Sequence, residues 1–231
     1  MQNLSTIKAL TFDLFGTVLD LGGSLKPFIA KFLEEQGASV STDQFWDQWR
    51  VRQRLEQYQD TLLMLGHSGY LETVRRALVY TLRLNQIEMS PEEVAGVMLA
   101  WQELSPFSDI VPALERLKER YKLVILSNGE AYFLHYLAKH RIHWEFDRII
   151  GANTIGVFKP HPAIYRRAAQ NLGLEVGECL MVSSHSFDAL GARACGYRAA
   201  YVNRYRLPYE DTTLLPDITV NDFTELADAL L

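Results

Sequence analysis

From residue 105 onward the chain alternates short apolar runs with stretches of helical periodicity, and this alternation constrains the fold more than any other feature. The apolar runs lie at 122–126, 148–150, 179–182, 199–202 and 218–220. Continuous apolar strands that alternate with helices are typical of a parallel sheet covered on both faces by helices. An earlier apolar run, at 7–12, has to join the same sheet. The sequence therefore predicts an α/β fold.

The region between the first strand and the remaining strands has only helical periodicity. Ser41 with Gln44, and Ser90 with Glu93, have the spacing of helix capping boxes. Apolar residues recur at helical spacing in three stripes: Leu55, Tyr58, Leu62 and Leu65; Leu71, Val74, Leu78 and Leu82; and Val94, Val97, Met98 and Trp101. We expect a Rossmann-like core domain formed by residues 1–20 and 106–231, with an all-helical cap domain at 21–105 inserted into it.

Composition excludes several classes of partner and location. The net charge of −5 is mild, and no dense run of Lys and Arg marks a nucleic-acid surface. We expect no membrane association, because no apolar stretch is long enough to span a bilayer. The residues before Asp13 lack the pattern of a signal peptide. Cys179 and Cys195 form no disulfide framework or metal spacing, so buried free thiols in a reducing cytoplasm are expected.

Polar and reactive residues collect where the predicted strands end, which is where doubly wound sheets place their active sites. These residues are Asp13 after the first strand, Ser127 and Asn128 after 122–126, and Ser183, Ser184, His185 and Asp188 after 179–182, with Lys159 in a loop before a helix. Each alone has a plainer explanation, such as a turn, a first-turn acid or a surface charge. Their common placement favours one site. Phe15, two residues after Asp13, makes the surroundings of that carboxylate apolar.

These residues resemble the four motifs of the haloacid dehalogenase superfamily, in that family's order and over nearly the whole chain. Most members are phosphatases with an Asp-x-Asp-Gly-Thr loop, whose second Asp protonates the leaving group. Here that position is Phe15, which is similar to the L-2-haloacid dehalogenase branch. The segments 126–129, 159–165 and 182–188 are also similar to that branch.

The resemblance implies an aspartyl-ester mechanism on short 2-haloalkanoic acids, with inversion, halide release and no cofactor. The implied catalytic residues are Asp13 as nucleophile, Thr17 with the amides of the Gly16 turn as oxyanion donors, Lys159 as counter-ion, and Asp188, Ser183 and Arg50. Asp188 either handles the hydrolytic water or fixes Lys159. Substrate-binding residues are Phe15, Ser127, Asn128, Tyr165, His185 and Phe187, and Tyr165 is expected to hydrogen-bond Lys159. Arg50, preceded by Trp49, is favoured over Arg52 and Arg54 for binding halide.

Two departures and three rival functions remain open. His185 stands where the branch pattern has Asn, and the spacing around Arg50 slips. The rivals are a Mg²⁺-dependent phosphatase of a small metabolite, with the metal held by Asp13 and Asp188, a hydrolase that opens a non-halogenated carboxylate substrate through an Asp ester, and an idle binding partner. The first lacks a general acid at Phe15. The small-molecule partner is a carboxylate, and a homodimer is expected by analogy.

Overall fold

The computed structural model describes residues 4–231 and divides into two compact units. The first contains the chain up to Leu19 and Pro106–Leu231, and the second is Asp20–Ser105. The strands are β1 (Ala9–Phe12), β2 (Leu19–Asp20), β3 (Ser105–Pro106), β4 (Lys122–Ser127), β5 (Arg148–Gly151), β6 (Cys179–Ser183), β7 (Arg198–Val202) and β8 (Ile218–Val220). The helices are α1 (Leu21–Glu35), α2 (Thr42–Leu62), α3 (Tyr70–Leu84), α4 (Pro91–Met98), α5 (Ile110–Leu117), α6 (Ala131–Leu137), α7 (Pro162–Leu172), α8 (Ser186–Ala194) and α9 (Phe223–Leu230).

The first unit is built on a six-stranded sheet with the order β5-β4-β1-β6-β7-β8. Every pairing in it is parallel. In β1, Phe12 is paired with Ile125 on one side and Val182 on the other. The carboxyl ends of β4, β1 and β6 therefore lie next to one another, and this register confirms the α/β prediction.

The apolar runs form central strands because they are buried on both faces. All residues of β1 and β6 are buried. One core cluster joins β4 and β6 to α7, with Val124, Met181 and Ile164 completely buried. The pair β2 and β3, which the sequence did not predict, forms a two-stranded sheet where the chain passes from one unit to the other.

The second unit is helical, as the periodicity predicts. Ser90 and Glu93 form the expected reciprocal capping box at the start of α4. At α2, the Ser41 side chain accepts a hydrogen bond from the Gln44 amide. The buried face of α2 differs from its predicted apolar stripe, because Leu55 and Leu62 are exposed and Leu65 lies beyond the end of the helix.

Polar residues of α2 are buried in place of that stripe. Gln57 bonds Thr73 at 3.4 Å, and Arg76 contacts both Glu56 and Asp60. Hydrogen bonds and ion pairs to α3 satisfy these polar groups, so hydrophobic periodicity alone could not identify the buried side of the helix.

Both cysteines are free thiols, but only Cys179 is buried, and Cys195 is partly exposed. Part of the thiol prediction was therefore wrong, because Cys195 lies at the end of α8, where the helix meets solvent. None of the helices in residues 4–231 combines the length and apolar character needed to cross a membrane.

Candidate active site

Asp13 lies directly after β1 and is 6% exposed. Its backbone amide donates to the Val182 carbonyl at 3.0 Å, which extends the parallel register one residue beyond the strand. The chain then turns through Gly16, whose φ of +88° favours glycine. A Cβ atom there would lie 3.1 Å from Nε2 of His185. Glycine at this position thus allows both the turn and the approach of the imidazole.

Hydrogen-bond donors approach both oxygens of the Asp13 carboxylate. The Thr17 hydroxyl donates to Oδ2 at 3.0 Å, and the Ser127 hydroxyl donates to Oδ1 at 3.4 Å. Nζ of Lys159 lies 3.6 Å from Oδ1. The amide of Ser184 donates to the Thr17 oxygen at 2.9 Å, which leaves the single proton of Thr17 for Asp13. Three separate segments therefore hold this carboxylate in one orientation.

The amides of the Gly16 turn are engaged elsewhere. Gly16 N donates to the Leu19 carbonyl at 2.9 Å, and Thr17 N lies 3.4 Å from the Leu14 carbonyl. For Gly16 and Thr17 the prediction of oxyanion-donor amides was therefore wrong, because the turn uses both amides in its own hydrogen bonds. The Thr17 hydroxyl, in contrast, donates directly to the Asp13 carboxylate.

Lys159 and Asp188 form a buried ion pair next to Asp13. Nζ of Lys159 donates to Oδ2 of Asp188 at 2.8 Å, and the Tyr165 hydroxyl donates to Oδ1 at 2.7 Å. Burial raises the pKa of Asp188 against the opposing effect of the Lys159 charge. Burial and the Asp188 charge together raise the pKa of Tyr165 well above its ordinary value. Both carboxylate oxygens of Asp188 already accept a hydrogen bond, which favours its role of fixing Lys159.

Tyr165 differs from its expected arrangement. Its hydroxyl bonds Asp188 rather than Lys159, and the ring is completely buried. A Cβ atom at Gly191 would lie 2.8 Å from the Tyr165 oxygen, so α7 and α8 approach closely there. Tyr165 therefore stabilises the ion pair between Lys159 and Asp188 through its hydrogen bond to Asp188.

The ends of β4 and β6 supply the remaining polar groups. Asn128 accepts a hydrogen bond from the Lys159 amide at 2.8 Å through its side-chain oxygen. The Ser183 hydroxyl accepts one from the His185 amide at 3.1 Å. Ser184 lies at the same edge, and its buried hydroxyl has no hydrogen-bond partner within residues 4–231. Its place directly after β6 had already put Ser184 among the polar residues expected at this edge, without a role of its own.

His185 contacts the turn that follows Asp13. Its Nε2 lies 2.9 Å from the Phe15 carbonyl and 3.8 Å from Oδ2 of Asp13. A carbonyl oxygen only accepts hydrogen bonds, so Nε2 carries the proton in this contact. The imidazole stacks on Phe187 at a centroid distance of 5.5 Å. The Phe15 ring is buried and stacks on Phe133 at 6.2 Å.

The residues proposed to hold Mg²⁺ in the phosphatase alternative fit that ion poorly. Lys159 places an ammonium between Asp13 and Asp188, and it already provides the positive charge that the two carboxylates share. Mg²⁺ requires near-octahedral oxygen coordination, whereas both carboxylate oxygens of Asp188 already accept hydrogen bonds, from Lys159 and Tyr165. Over residues 4–231, no group of three or more His, Cys, Asp or Glu side chains has an arrangement suited to a metal.

Arg50 lies on α2, in the other unit. Its guanidinium donates to the neutral side chain of Gln53 and lies 5.6 Å from the Trp46 ring centroid. The guanidinium of Arg52 is instead paired with Glu56, with Nε 2.8 Å from its carboxylate. Of these two predicted candidates, Arg52 has its charge compensated by an acid.

Comparisons with known proteins agree with this arrangement. The family profile of the haloacid dehalogenase-like hydrolases matches residues 7–196. The chain is 30% identical over 230 residues to (S)-2-haloacid dehalogenase H-109 of Pseudomonas putida, covering 99% of this chain and 100% of that protein. It is 30% identical over 221 residues to haloacetate dehalogenase H-2 of Moraxella sp. (strain B), covering 94% and 95% respectively.

A solved structure extends the likeness to three dimensions. The L-2-haloacid dehalogenase from Xanthobacter autotrophicus, with chloropropionic acid covalently bound, has a TM-score of 0.83 to this chain and 27% sequence identity. The match covers 97% of this chain and 98% of the other.

Proposed function

The chain belongs to the haloacid dehalogenase-like hydrolases, and from this premise we propose that it is a hydrolytic 2-haloacid dehalogenase acting on short 2-haloalkanoic acids. The observation that carries the proposal is the Asp13 carboxylate, held between Thr17, Ser127 and Lys159 with Phe15 two residues on. The site offers a buried nucleophile and a nearby cation. It has no acid at the position where phosphatases of this superfamily place their proton donor.

In the first step, one oxygen of Asp13 attacks the halogen-bearing carbon of the substrate. A carbon–oxygen bond forms, the carbon–halogen bond breaks, and halide leaves with its electron pair, which inverts the carbon. The product is an ester of Asp13. Limited exposure of the carboxylate supports this step, because a poorly hydrated carboxylate is a stronger nucleophile. The covalently bound chloropropionic acid in the Xanthobacter relative agrees with a covalent intermediate.

In the second step, water adds to Cγ of Asp13. The bond between Cγ and the ester oxygen breaks, and the 2-hydroxy acid leaves with an oxygen that belonged to Asp13. One water oxygen remains in the regenerated carboxylate, and one proton is released overall. The Thr17 hydroxyl stabilises the developing oxyanion, and a donor of this kind typically contributes about 3 kcal/mol. The unpartnered hydroxyl of Ser184 is our candidate for orienting the water.

The substrate carboxylate is bound by hydroxyl and amide groups at the strand ends. We assign this role to Ser127, Asn128 and Ser183, because they converge on the edge of the sheet that bears Asp13. Phe15 and Phe187, with the imidazole of His185, supply the apolar surroundings of the reacting carbon. The Tyr165 hydroxyl holds the Asp188 carboxylate, and Asp188 in turn holds the Lys159 ammonium near the nucleophile Asp13.

We further propose that the helical unit serves as the cap domain and supplies Arg50 for the departing halide. Arg50 is preferred over Arg52 because its guanidinium bonds a neutral amide, whereas Arg52 is paired with Glu56. A cationic group can take the negative charge that leaves with the halide. The mechanism needs no cofactor, since Asp13, the other side chains and water supply every group that reacts.

Two further parts of the proposal concern assembly and location. We propose a homodimer, because Leu62 and Met64 are 80% and 90% exposed in an apolar surface of the helical unit. Light scattering after gel filtration tests this by measuring the molar mass.

We place the enzyme in the cytoplasm, a reducing compartment in which the free thiols of Cys179 and Cys195 stay reduced.

An isotope experiment tests the reaction. A single turnover of chloroacetate in ¹⁸O-labelled water, with enzyme in excess, should place label in the peptide that contains Asp13. A phosphoaspartate is cleaved at phosphorus and would leave Asp13 unlabelled. Parallel assays measure halide release from L-2-chloropropionate, with and without a chelator. Turnover of a phosphate ester alone, dependent on Mg²⁺, would overturn the proposal, as would turnover restricted to non-halogenated carboxylates.

A further inference from the structure

Three consecutive carbonyl oxygens of the turn after Asp13 are each held by a side chain from a distant part of the sequence. The contacts are His185 Nε2 to the Phe15 carbonyl at 2.9 Å, the Tyr205 hydroxyl to the Gly16 carbonyl at 2.8 Å, and Arg204 Nε to the Thr17 carbonyl at 3.2 Å. Two of the three donors come from the loop after β7, a segment that the family motifs do not include. That loop therefore fixes the turn from outside the catalytic cluster.

The guanidinium of Arg204 is itself held on several sides. It donates to Oδ2 of Asp109 at 2.7 Å, and its central carbon lies 4.1 Å from the ring centroid of Phe107 and 5.2 Å from that of Phe223. The same Asp109 oxygen accepts the Phe223 amide at 2.7 Å. Because Asp109 and the two rings already fix the planar guanidinium, Arg204 loses little side-chain conformational entropy when it also bonds the Thr17 carbonyl.

The backbone around Tyr205 is ordered by Asn203. The Asn203 side chain accepts from the Leu207 amide and donates to the Leu207 carbonyl, both at 2.9 Å. The Tyr205 hydroxyl is also 3.3 Å from where a Gly16 Cβ would lie, so it packs directly on the turn. These hydrogen bonds fix the backbone of the loop that carries Arg204 and Tyr205.

We propose that Arg204 and Tyr205 are positioning residues for the hydrolytic step, an inference that rests on the proposed function. They fix the backbone of Gly16 and Thr17, and this fixes the hydroxyl that Thr17 directs at Oδ2 of Asp13. In this assignment Oδ1 forms the ester bond, and Oδ2 becomes the ester carbonyl oxygen on which the oxyanion develops.

The two chemical steps respond differently to this alignment. During displacement, the Thr17 hydroxyl stabilises the reactant carboxylate, so its loss does not raise the barrier. During hydrolysis, the same hydroxyl stabilises charge that grows only in the transition state, so its loss slows the step. Disturbing the turn should therefore slow ester hydrolysis selectively, and the ester of Asp13 should accumulate.

The test compares Arg204→Lys and Tyr205→Phe with two matched controls. Lysine keeps the charge of Arg204 but cannot bond Thr17 and Asp109 with one planar fork. Tyr209→Phe removes a hydroxyl that bonds the Leu214 carbonyl in the same loop, away from the turn. Arg193→Lys changes an arginine that holds the Tyr197 and Leu215 carbonyls, so it controls for loss of stability alone.

Chloroacetate is the probe, and three quantities are measured in each variant: halide release in the first turnover by rapid quench, the steady-state rate, and the fraction of enzyme carrying the carboxymethyl adduct by intact mass. For Arg204→Lys and Tyr205→Phe we expect first-turnover halide release within about twofold of the wild type. The steady-state rate should fall roughly tenfold to a hundredfold, with adduct on most of the enzyme. The controls should keep the wild-type adduct level.

Equal slowing of both steps, or unchanged kinetics in both test variants, would overturn the positioning role. Tyr205→Phe removes one oxygen from a half-exposed ring, so it keeps the test valid if Arg204→Lys fails to fold. The behaviour of the wild-type enzyme shows whether a negative result contradicts the positioning role or the proposed function. Wild-type enzyme that forms no adduct and releases no halide contradicts the proposed function, whereas active wild type with unaffected variants contradicts only the roles of Arg204 and Tyr205.

Discussion

Nζ of Lys159 lies 2.8 Å from Oδ2 of Asp188 and 3.6 Å from Oδ1 of Asp13, so one buried ammonium contacts two carboxylates. The closer contact is with Asp188, which is 1% exposed and also accepts the Tyr165 hydroxyl. This asymmetry fixes the cation through Asp188 and leaves Asp13 more loosely held on the Oδ1 side.

Replacement of Asp13, the proposed nucleophile, should abolish turnover without unfolding the protein. Asp13→Asn removes the attacking carboxylate and keeps the shape, so we expect halide release to fall at least about a thousandfold. Circular dichroism and the melting temperature report whether the fold is intact. Mass spectrometry of the Asp13 peptide excludes deamidation back to Asp, after which activity near that of the wild type would contradict the assignment.

Thr17 should act through its hydroxyl. Thr17→Val removes the donor to Oδ2 of Asp13, and we expect the steady-state rate to fall roughly 100- to 1,000-fold, corresponding to about 3–4 kcal/mol. Thr17→Ser keeps the hydroxyl and should recover most of that loss. Thr11→Val is the matched control, because Thr11 is a buried β1 residue whose hydroxyl bonds the Leu180 carbonyl away from Asp13. Similar rates in Thr17→Val and Thr11→Val would argue against the oxyanion role.

The buried ion pair should contribute strongly to stability when one partner alone is removed. Lys159→Met leaves Asp188 and Asp13 buried without their cation, and we expect the free energy of unfolding in urea to fall by about 3–5 kcal/mol. The double variant Lys159→Met/Asp188→Leu should lose less than the sum of the two single changes.

The exposed pair Lys26–Asp43 provides the control for that measurement. Its atoms are 2.7 Å apart, and both side chains face solvent. Lys26→Met should therefore change the free energy of unfolding by less than about 1 kcal/mol. Comparable losses in Lys26→Met and Lys159→Met would show that burial of the Lys159 pair has no special effect.

The pH dependence of stability should reveal the raised pKa of Asp188. Because burial raises its folded pKa above the ordinary 3.8, the folded state binds the Asp188 proton more tightly than the unfolded state does. Its contribution to stability is therefore present below pH 3.8 and is lost as pH rises through the folded pKa. We expect the free energy of unfolding of the wild type, minus that of Asp188→Asn, to decrease over this window. A difference that is constant or increases with pH contradicts the assignment.

Much of the fold could be predicted from the sequence because each strand carries its own local signal. The apolar runs that became β1, β4 and β6 are buried on both faces, so no alternation obscured them. The face of α2 could not be predicted in this way. Its exposed Leu55 and Leu62 follow the apolar pattern, whereas its buried Glu56 and Asp60 depend on Arg76 of α3.

The sequence by itself determined the α/β class, the helical insertion and the nucleophile candidate Asp13 at a strand end. These follow from periodicity and from the rule that parallel sheets gather their carboxyl ends at one edge. Only the tertiary structure decided that Tyr165 bonds Asp188, that the Gly16 turn uses its own amides, and that Arg204 and Tyr205 hold this turn. The physical reason is that hydrogen-bond partners far apart in sequence are selected by strand register and side-chain packing, which leave no local pattern in the chain.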